Sequence, residues 1–291
     1  MRRIGGKMYN IRLSQPSNNG VMQDGSICLA SVNQTHAKET TSSKYSFIPT
    51  NRVLDTLKEE GWIPVKAQES RVRKENKQGF QKHLIRLQNI NHRISSGELQ
   101  LTSSGLIPEI LLSSAHDGCA SFLLMAGIFR QVCANGLIVA DSMFGAHKIR
   151  HIGYTDDKVK EAIYNVVEST PRIFNRIQEF RSIQLKEEER IAFADSALHF
   201  RFDDEQLKEI NTNATIQRLL APRRPEDANA TLWNTFNVVQ EKFLKGGRFS
   251  IPKERTAYAN KTREVKSISE NIRLNKSLWA LTEKMAELKN S

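Results

Sequence analysis

Through the first half of the chain, apolar and polar residues alternate or gather in short blocks; through the second half they recur at helical spacing. Trp62-Ile-Pro-Val-Lys-Ala reads as the entry to a strand, and Phe80-Gln-Lys-His-Leu-Ile-Arg-Leu alternates well enough for another, with a period near two. Over residues 109–152, apolar runs are divided by Asp117-Gly118 and Asn135-Gly136, and Lys148-Ile-Arg-His-Ile continues the strand character. Asp-Gly and Asn-Gly favour tight hairpins, because both central positions of a type I′ turn need φ > 0. The segment therefore predicts an antiparallel meander rather than a nucleotide-binding βαβ unit.

The period changes at Thr155, which can cap a helix, with Asp156-Asp157 suited to its first turn. Val159, Ile163, Val166 and Val167 share one helical face, and Ile173, Phe174, Ile177 and Phe180 recur at the same spacing. Pro171 between them predicts a kink or a break. Further helices are predicted over 187–198, 203–210, 214–220, 231–245 (stopped by Gly246-Gly247) and 269–289. Ahead of the sheet, a short helix over 51–60 has Thr50 as its N-cap and Gly61 as its stop. Residues 1–43 are rich in Ser, Asn, Gln, Gly and Thr, and predict a loosely ordered arm with one strand near 27–32. Strands followed by helices give an α+β fold: an antiparallel β-meander sheet packed against a long helix, then a helical C-terminal half. The expected boundaries are an arm over 1–43, an α+β core over 44–221, and a helical region over 222–291 packed on that core.

The longest apolar run, near 122–129, is far short of the roughly 20 residues a spanning helix needs. The opening Met1-Arg-Arg-Ile-Gly-Gly-Lys has charge but no apolar run behind it, so it does not read as a signal peptide, and a cytoplasmic protein is expected. Cys28, Cys119 and Cys133 form no CxxC pair, and an odd count suits a reducing compartment. Cys119 and Cys133, in the apolar meander, are expected to be buried and inert.

Charge sharpens the reading. The 291 residues carry a formal net charge of +11, which favours nucleic acid, acidic proteins or anionic lipid as partners. Residues 66–93 hold eight basic side chains (Lys66, Arg71, Arg73, Lys74, Lys77, Lys82, Arg86, Arg93) against Glu69 and Glu75. Residues 242–276 hold ten against Glu254, Glu264 and Glu270. These two excesses exceed the whole net charge, so the rest of the chain is near balance or slightly acidic.

In the first stretch, Arg71, Arg73, Lys74, Lys77 and Lys82 could line a phosphate backbone from a hairpin loop, with Phe80 available to stack on a base. A merely solvated loop is the alternative. Pro222-Arg223-Arg224-Pro225-Glu226-Asp227 could clamp a phosphate or carboxylate bidentately; otherwise Arg224 pairs with Asp227 or caps a helix, and Trp233 is core. Arg248 adds a cation after the double glycine. His116-Asp117 is explained by turn chemistry, and no nucleophile accompanies it. His147 and His151 are four apart in a segment that reads as strand, and no HExxH or Cys/His cluster supports a metal. GxxxxGK[ST] and GxGxxG are absent, so neither metal nor cofactor is expected. Asn237 and Gln240 lie in an aromatic stripe that is more simply core.

His116-Asp-Gly, Met125-Ala-Gly-Ile-Phe-Arg-Gln-Val-Cys-Ala-Asn-Gly-Leu, Lys148-Ile-Arg-His, and Thr231-Leu-Trp-Asn-Thr-Phe-Asn-Val-Val-Gln-Glu with Gly246-Gly247 together resemble family nine-three-two of the domains of unknown function, over roughly residues 45–279. That resemblance implies residence on bacterial plasmids and prophages and supplies no catalytic residues. The meander followed by a long helix is also similar, in topology alone, to Rad-fifty-two-like single-strand annealing proteins, which form rings and hold single-stranded DNA in a basic groove. The expectation is a non-enzymatic protein of a mobile element that binds single-stranded DNA in recombination or replication. Its candidate contacts are Arg71, Arg73, Lys74, Lys77, Phe80, Lys82, Arg223, Arg224 and Arg248, and a homo-oligomer or ring is a further possibility. The competing expectation is an inhibitor or adaptor that sets its basic faces against an acidic host protein. No membrane partner is expected.

Overall fold

The alternation in the first half builds a sheet whose strands follow one another in space as in sequence. In the computed structural model, which describes residues 20–22, 25–89, 106–130, 135–139, 147–149, 151, 155–254 and 259–290, β1 (Trp62–Glu69), β2 (His83–Asn89), β3 (Leu106–Ser114), β4 (Phe122–Arg130) and β5 (Asn135–Val139) pair antiparallel in that order. β6 (His147–Ile149) joins the same edge of β4 as β5: β5 pairs with Ala126–Arg130 and β6 with Phe122–Leu124.

The register puts Ile85 opposite Leu112, and Leu112 opposite Leu124. With a side-chain period of two, this gathers Ile85, Leu87, Ile110, Leu112, Leu124, Ala126 and Ile128 on one face. That face packs into a single buried cluster with Val159, Ile163, Val166, Ile173, Ile177 and Phe180 of α2 (Asp156–Ser182). The opposite face carries a smaller apolar group, Leu84, Leu111 and Met125, covered by Ile268. It also carries Glu109, which accepts from Arg86 Nε at 2.6 Å, Arg86 NH2 at 2.7 Å and Gln88 Nε2 at 2.7 Å. The Arg86 guanidinium lies 4.6 Å from the Phe129 ring centre.

Ahead of the sheet stands α1 (Thr50–Glu59), ended by Gly61 at φ 82°. After α2 come α3 (Glu187–Arg201), α4 (Asp204–Glu209), α5 (Thr212–Leu220), α6 (Leu232–Lys245), a hairpin of β7 (Gly247–Ser250) and β8 (Asn260–Thr262), and α7 (Ile268–Asn290). The α+β architecture with a helical C-terminal half is therefore the one its periodicities predict. Trp233, Phe236 and Trp279 lock α6 to α7, with Trp233 and Phe236 stacked at 5.5 Å and Phe236 edge-on to Trp279 at 6.3 Å. Gly246 ends α6 at φ 71°, where a Cβ would collide with the Thr262 carbonyl.

Several local expectations need correction. Pro171 lies inside α2, which runs unbroken past it; a proline's missing N–H is tolerated where tertiary packing fixes both flanks, as Val166 and Ile173 do here. Asn135-Gly136 is not a turn: it opens β5, with Asn135 opposite Arg130 and Gly136 opposite Phe129. Asp117-Gly118 does lie between two strands, but in a longer connection, residues 115–121, in which Asp117 Oδ1 accepts from the Cys119 N–H at 3.0 Å. This places Cys119 on the surface rather than in the core, as is Cys28, while Cys133 lies outside the described residues. Residues 27–32 form turns and one isolated bridge, Val21 to Ile27, instead of a strand. Thr50 is the first residue of α1 and not its cap, because its hydroxyl turns inward. Among the described residues, no helix is long and apolar enough to cross a membrane.

Candidate nucleic-acid interface

The β1–β2 connection is closed at its base by Ser70 N–H donating to the Lys82 carbonyl at 2.7 Å. A short 3-10 turn, Glu75–Lys77, and Gly79 at φ 86° fold the loop back on itself. Arg71, Arg73 and Lys74 stand exposed on it, and Lys77 is half-buried. Phe80 is also half-buried, its ring edge-on to His36 at 5.6 Å. Lys82 reaches away from the loop, donating from Nζ to Ser269 Oγ at 3.0 Å. Burial pushes the Lys82 amine below its usual value. On the same face of the sheet, burial and then the neighbouring Arg86 lower Lys66, against the pull of Glu264 and Glu109.

Ser269 is the second residue of α7 and lies within the second basic stretch. Arg248, Lys261, Arg263 and Lys266 are exposed there. Arg248 and Lys261 sit directly opposite each other in the β7–β8 ladder. Like charges in that position repel, and nothing in a two-stranded ribbon requires them. The contact between Lys82 and Ser269 thus joins two cationic segments separated by 187 positions.

Ion pairing divides the cations sharply. Among the described residues, none of Arg71, Arg73, Lys74, Lys77, Lys82, Arg248, Lys261, Arg263 and Lys266 forms an ion pair, whereas the helical half pairs Arg176 with Glu179 and Glu283, Arg190 with Glu187, Arg273 with Glu270 and Lys289 with Glu189. Arg93 and Arg255 lie outside the described residues.

Arg223 and Arg224 fall on the paired side. Arg224 grips Glu241 with both terminal nitrogens, at 2.8 and 2.7 Å, and reaches Asp227 at 3.3 Å. Arg223 donates to Glu241 at 3.4 Å and to the Gly246 carbonyl at 2.6 Å. Asp227 also accepts from Arg130 of β4 at 2.5 Å. Burial would raise the Glu241 carboxyl, yet the two arginines hold it below the usual carboxylate range. The clamp exists, but the carboxylate in it is the chain's own. Asn237 and Gln240 are likewise internal, donating to the Trp233 carbonyl at 2.6 Å and to Asn275 Oδ1 at 2.8 Å.

The sequence did not single out the histidines as a group. The Nε2 atoms of His83 and His116 each lie 3.1 Å from the Thr50 hydroxyl, and both residues are fully buried. One hydroxyl can donate to one ring and accept from the other, which suits two neutral imidazoles. Burial, then the charge of His116, drives His83 down to about 3. Burial, then His151, drives His116 to about 4. His147 lies apart on β6.

Residues 37–279 match the family described as Domain of unknown function (DUF932). The chain belongs to this family. It is 34% identical over 249 residues to the UPF0380 protein YafZ of Escherichia coli (strain K12), and 33% identical over 247 residues to the UPF0380 protein YfjQ of the same organism, each alignment covering 84% of both chains. No solved structure matches it significantly. Where they fall on described residues, the motifs carrying the family likeness lie in the β3–β4 connection, on β4, β5 and β6, and on α6 with its closing glycines.

Proposed function

We propose that this chain is a non-enzymatic nucleic-acid-binding protein of a bacterial mobile element, acting on single-stranded DNA in recombination or replication. What supports the reading is the meeting at the Lys82–Ser269 contact of two cationic segments, in which Arg71, Arg73, Lys74, Lys77, Lys82, Arg248, Lys261, Arg263 and Lys266 form no ion pair among the described residues, with Arg248 opposite Lys261. Cations left without carboxylates beside a like-charged cross-strand pair are stabilised by a polyanion laid across them. The contacts proposed are Arg71, Arg73, Lys74, Lys77 and Lys82 from one side, and Arg248, Lys261, Arg263 and Lys266 from the other. Phe80, half-exposed at the mouth of the loop, offers a ring for base stacking. Arg223 and Arg224 serve the fold in this reading, since releasing either would leave Glu241 buried and under-paired.

The test is a filter-binding titration on single- and double-stranded DNA at several salt concentrations, with light scattering for the assembly state. Six to ten phosphate contacts lower affinity by about 10³–10⁵ between roughly 50 and 200 mM salt. An affinity that scarcely moved over that range would overturn the reading. Stoichiometric, nuclease-insensitive capture of one acidic host protein on the same face would replace it with an inhibitor or adaptor role.

A further inference from the structure

In a meander, the β1–β2 and β3–β4 connections leave the same end of the sheet. Here a backbone hydrogen bond from the His116 N–H to the Phe80 carbonyl, 3.0 Å, ties them together. Beside this junction the β3–β4 connection and β6 enclose a cleft of about 390 Å³, lined by Ser42, Tyr45, Cys119, Ser121, Lys148 and His151.

The lining is built of donors. Lys148 stands exposed on β6. Tyr45 stacks on His151 with ring centres 4.4 Å apart, and its hydroxyl lies 3.2 Å from the Ala115 carbonyl. Burial and the charge of Asp117 push that phenol up to about 12, so it stays a neutral donor. His151 is 7% exposed, and its Nδ1 lies 3.2 Å from the Ser46 carbonyl, which fixes the proton on that nitrogen. Its Nε2 makes no well-aligned hydrogen bond among the described residues, although the backbone of Ala120 lies near the ring. Among the described residues no carboxylate lines the cleft; the neighbouring Asp117 has one oxygen on the Cys119 N–H.

We infer that this cleft binds a phosphate group, held by the Lys148 ammonium, the Ser42 and Ser121 hydroxyls and the unpartnered edge of His151. A compact tetrahedral anion takes several donors at once. Burial holds His151 below its usual value, so the ring is neutral in the free cleft; a phosphate beside it favours the protonated ring, whose Nε2 then donates to the anion. The phosphate chemistry stands on the cleft itself. That the group is the terminal phosphate of a strand rests on the nucleic-acid reading above, because the cleft adjoins the cationic loop. Free inorganic phosphate and a mononucleotide share the same chemistry and form separate arms of the test.

Cys119 provides the readout, since its exposed thiol lines the cleft, and Cys28, exposed elsewhere, serves as an internal reference. Alkylation of each thiol in the full chain is followed by peptide mass spectrometry with inorganic phosphate, a mononucleotide, and oligonucleotides bearing a 5′-phosphate, a 3′-phosphate or only hydroxyl ends. At ten times the Kd of a ligand, mass action leaves roughly one site in eleven open, so alkylation of Cys119 slows about elevenfold while Cys28 is unchanged. Lys148→Gln is expected to remove the protection and Ser121→Ala to weaken it. Unchanged Cys119 rates with every phosphate ligand overturn the inference, as does protection that survives Lys148→Gln. Protection by inorganic phosphate but by neither end-phosphorylated oligonucleotide overturns the strand-end assignment and upholds the phosphate site. Removing Arg71, Arg73 and Lys74 abolishes strand binding yet preserves protection by inorganic phosphate, which separates failure of the cleft from failure of the wider interface.

Discussion

The Lys82 ammonium donates to the Ser269 hydroxyl at 3.0 Å. Through this one contact the loop between the first two strands meets the start of the last helix, and the two cation-rich stretches of the chain become neighbours. Neither partner is charged against the other, so the positive charge of Lys82 remains available to a ligand. A lysine placed there for stability alone would find a carboxylate, as Arg224 does in Glu241.

Replacing Arg71, Arg73, Lys74, Lys77 and Lys82 with Ala is expected to abolish DNA binding. It should also leave stability within about 0.5 kcal/mol per site, because exposed or half-buried side chains without ion pairs contribute little to the fold. Single replacements should lower the salt slope by about one each. Affinity, salt slope and Tm of the purified variants check this.

Arg224→Ala is expected to behave oppositely. It strips a buried carboxylate of its bidentate partner and should cost about 3–5 kcal/mol in urea unfolding. Glu109→Ala, leaving the Arg86 guanidinium unpaired under Phe129, is expected to fall in the same range. A loss below about 1 kcal/mol at either site would contradict the buried-pair description.

Lys261→Glu converts the facing pair with Arg248 from repulsive to attractive. The β7–β8 hairpin should gain about 0.2–1 kcal/mol while DNA affinity falls. Opposite signs in unfolding and binding on one substitution separate an interface residue from a structural one. Parallel changes would place Lys261 in the fold.

Acid stability should report the buried histidines. Both have folded values below the ordinary 6.5, at about 3 for His83 and about 4 for His116. Between those values and 6.5 the unfolded chain binds protons that the folded chain does not. Stability is therefore fully present above about 6.5 and is lost as pH falls, approaching roughly 1.4 kcal/mol per pH unit for each ring. His83→Gln is expected to flatten this limb by about half, measured as urea midpoints between pH 5 and 7.

How much of this was legible depends on the range of the interaction that decides it. The strands over 62–69 and 83–89 and the helix over 156–182 could be read because each is set by contacts within a few residues and by a period of 2 or 3.6. Pro171 misled because local chemistry argues for a break, and the packing of α2 on the sheet outweighs it. Asn135-Gly136 misled because turn propensity is weaker than the register that pairs those residues with β4. Thr50 looked like a cap because its partners, His83 and His116, are 33 and 66 residues away.

By itself the sequence determined the fold class, the family and the surplus of positive charge, since these follow from local periodicity, long motifs and composition. Which cations are neutralised was decided only in three dimensions. Arg224 finds Glu241 17 residues on, and Lys82 finds Ser269 at a distance of 187. A charge interacts with whatever lies within a few ångströms in space, and chain order alone does not specify that neighbour.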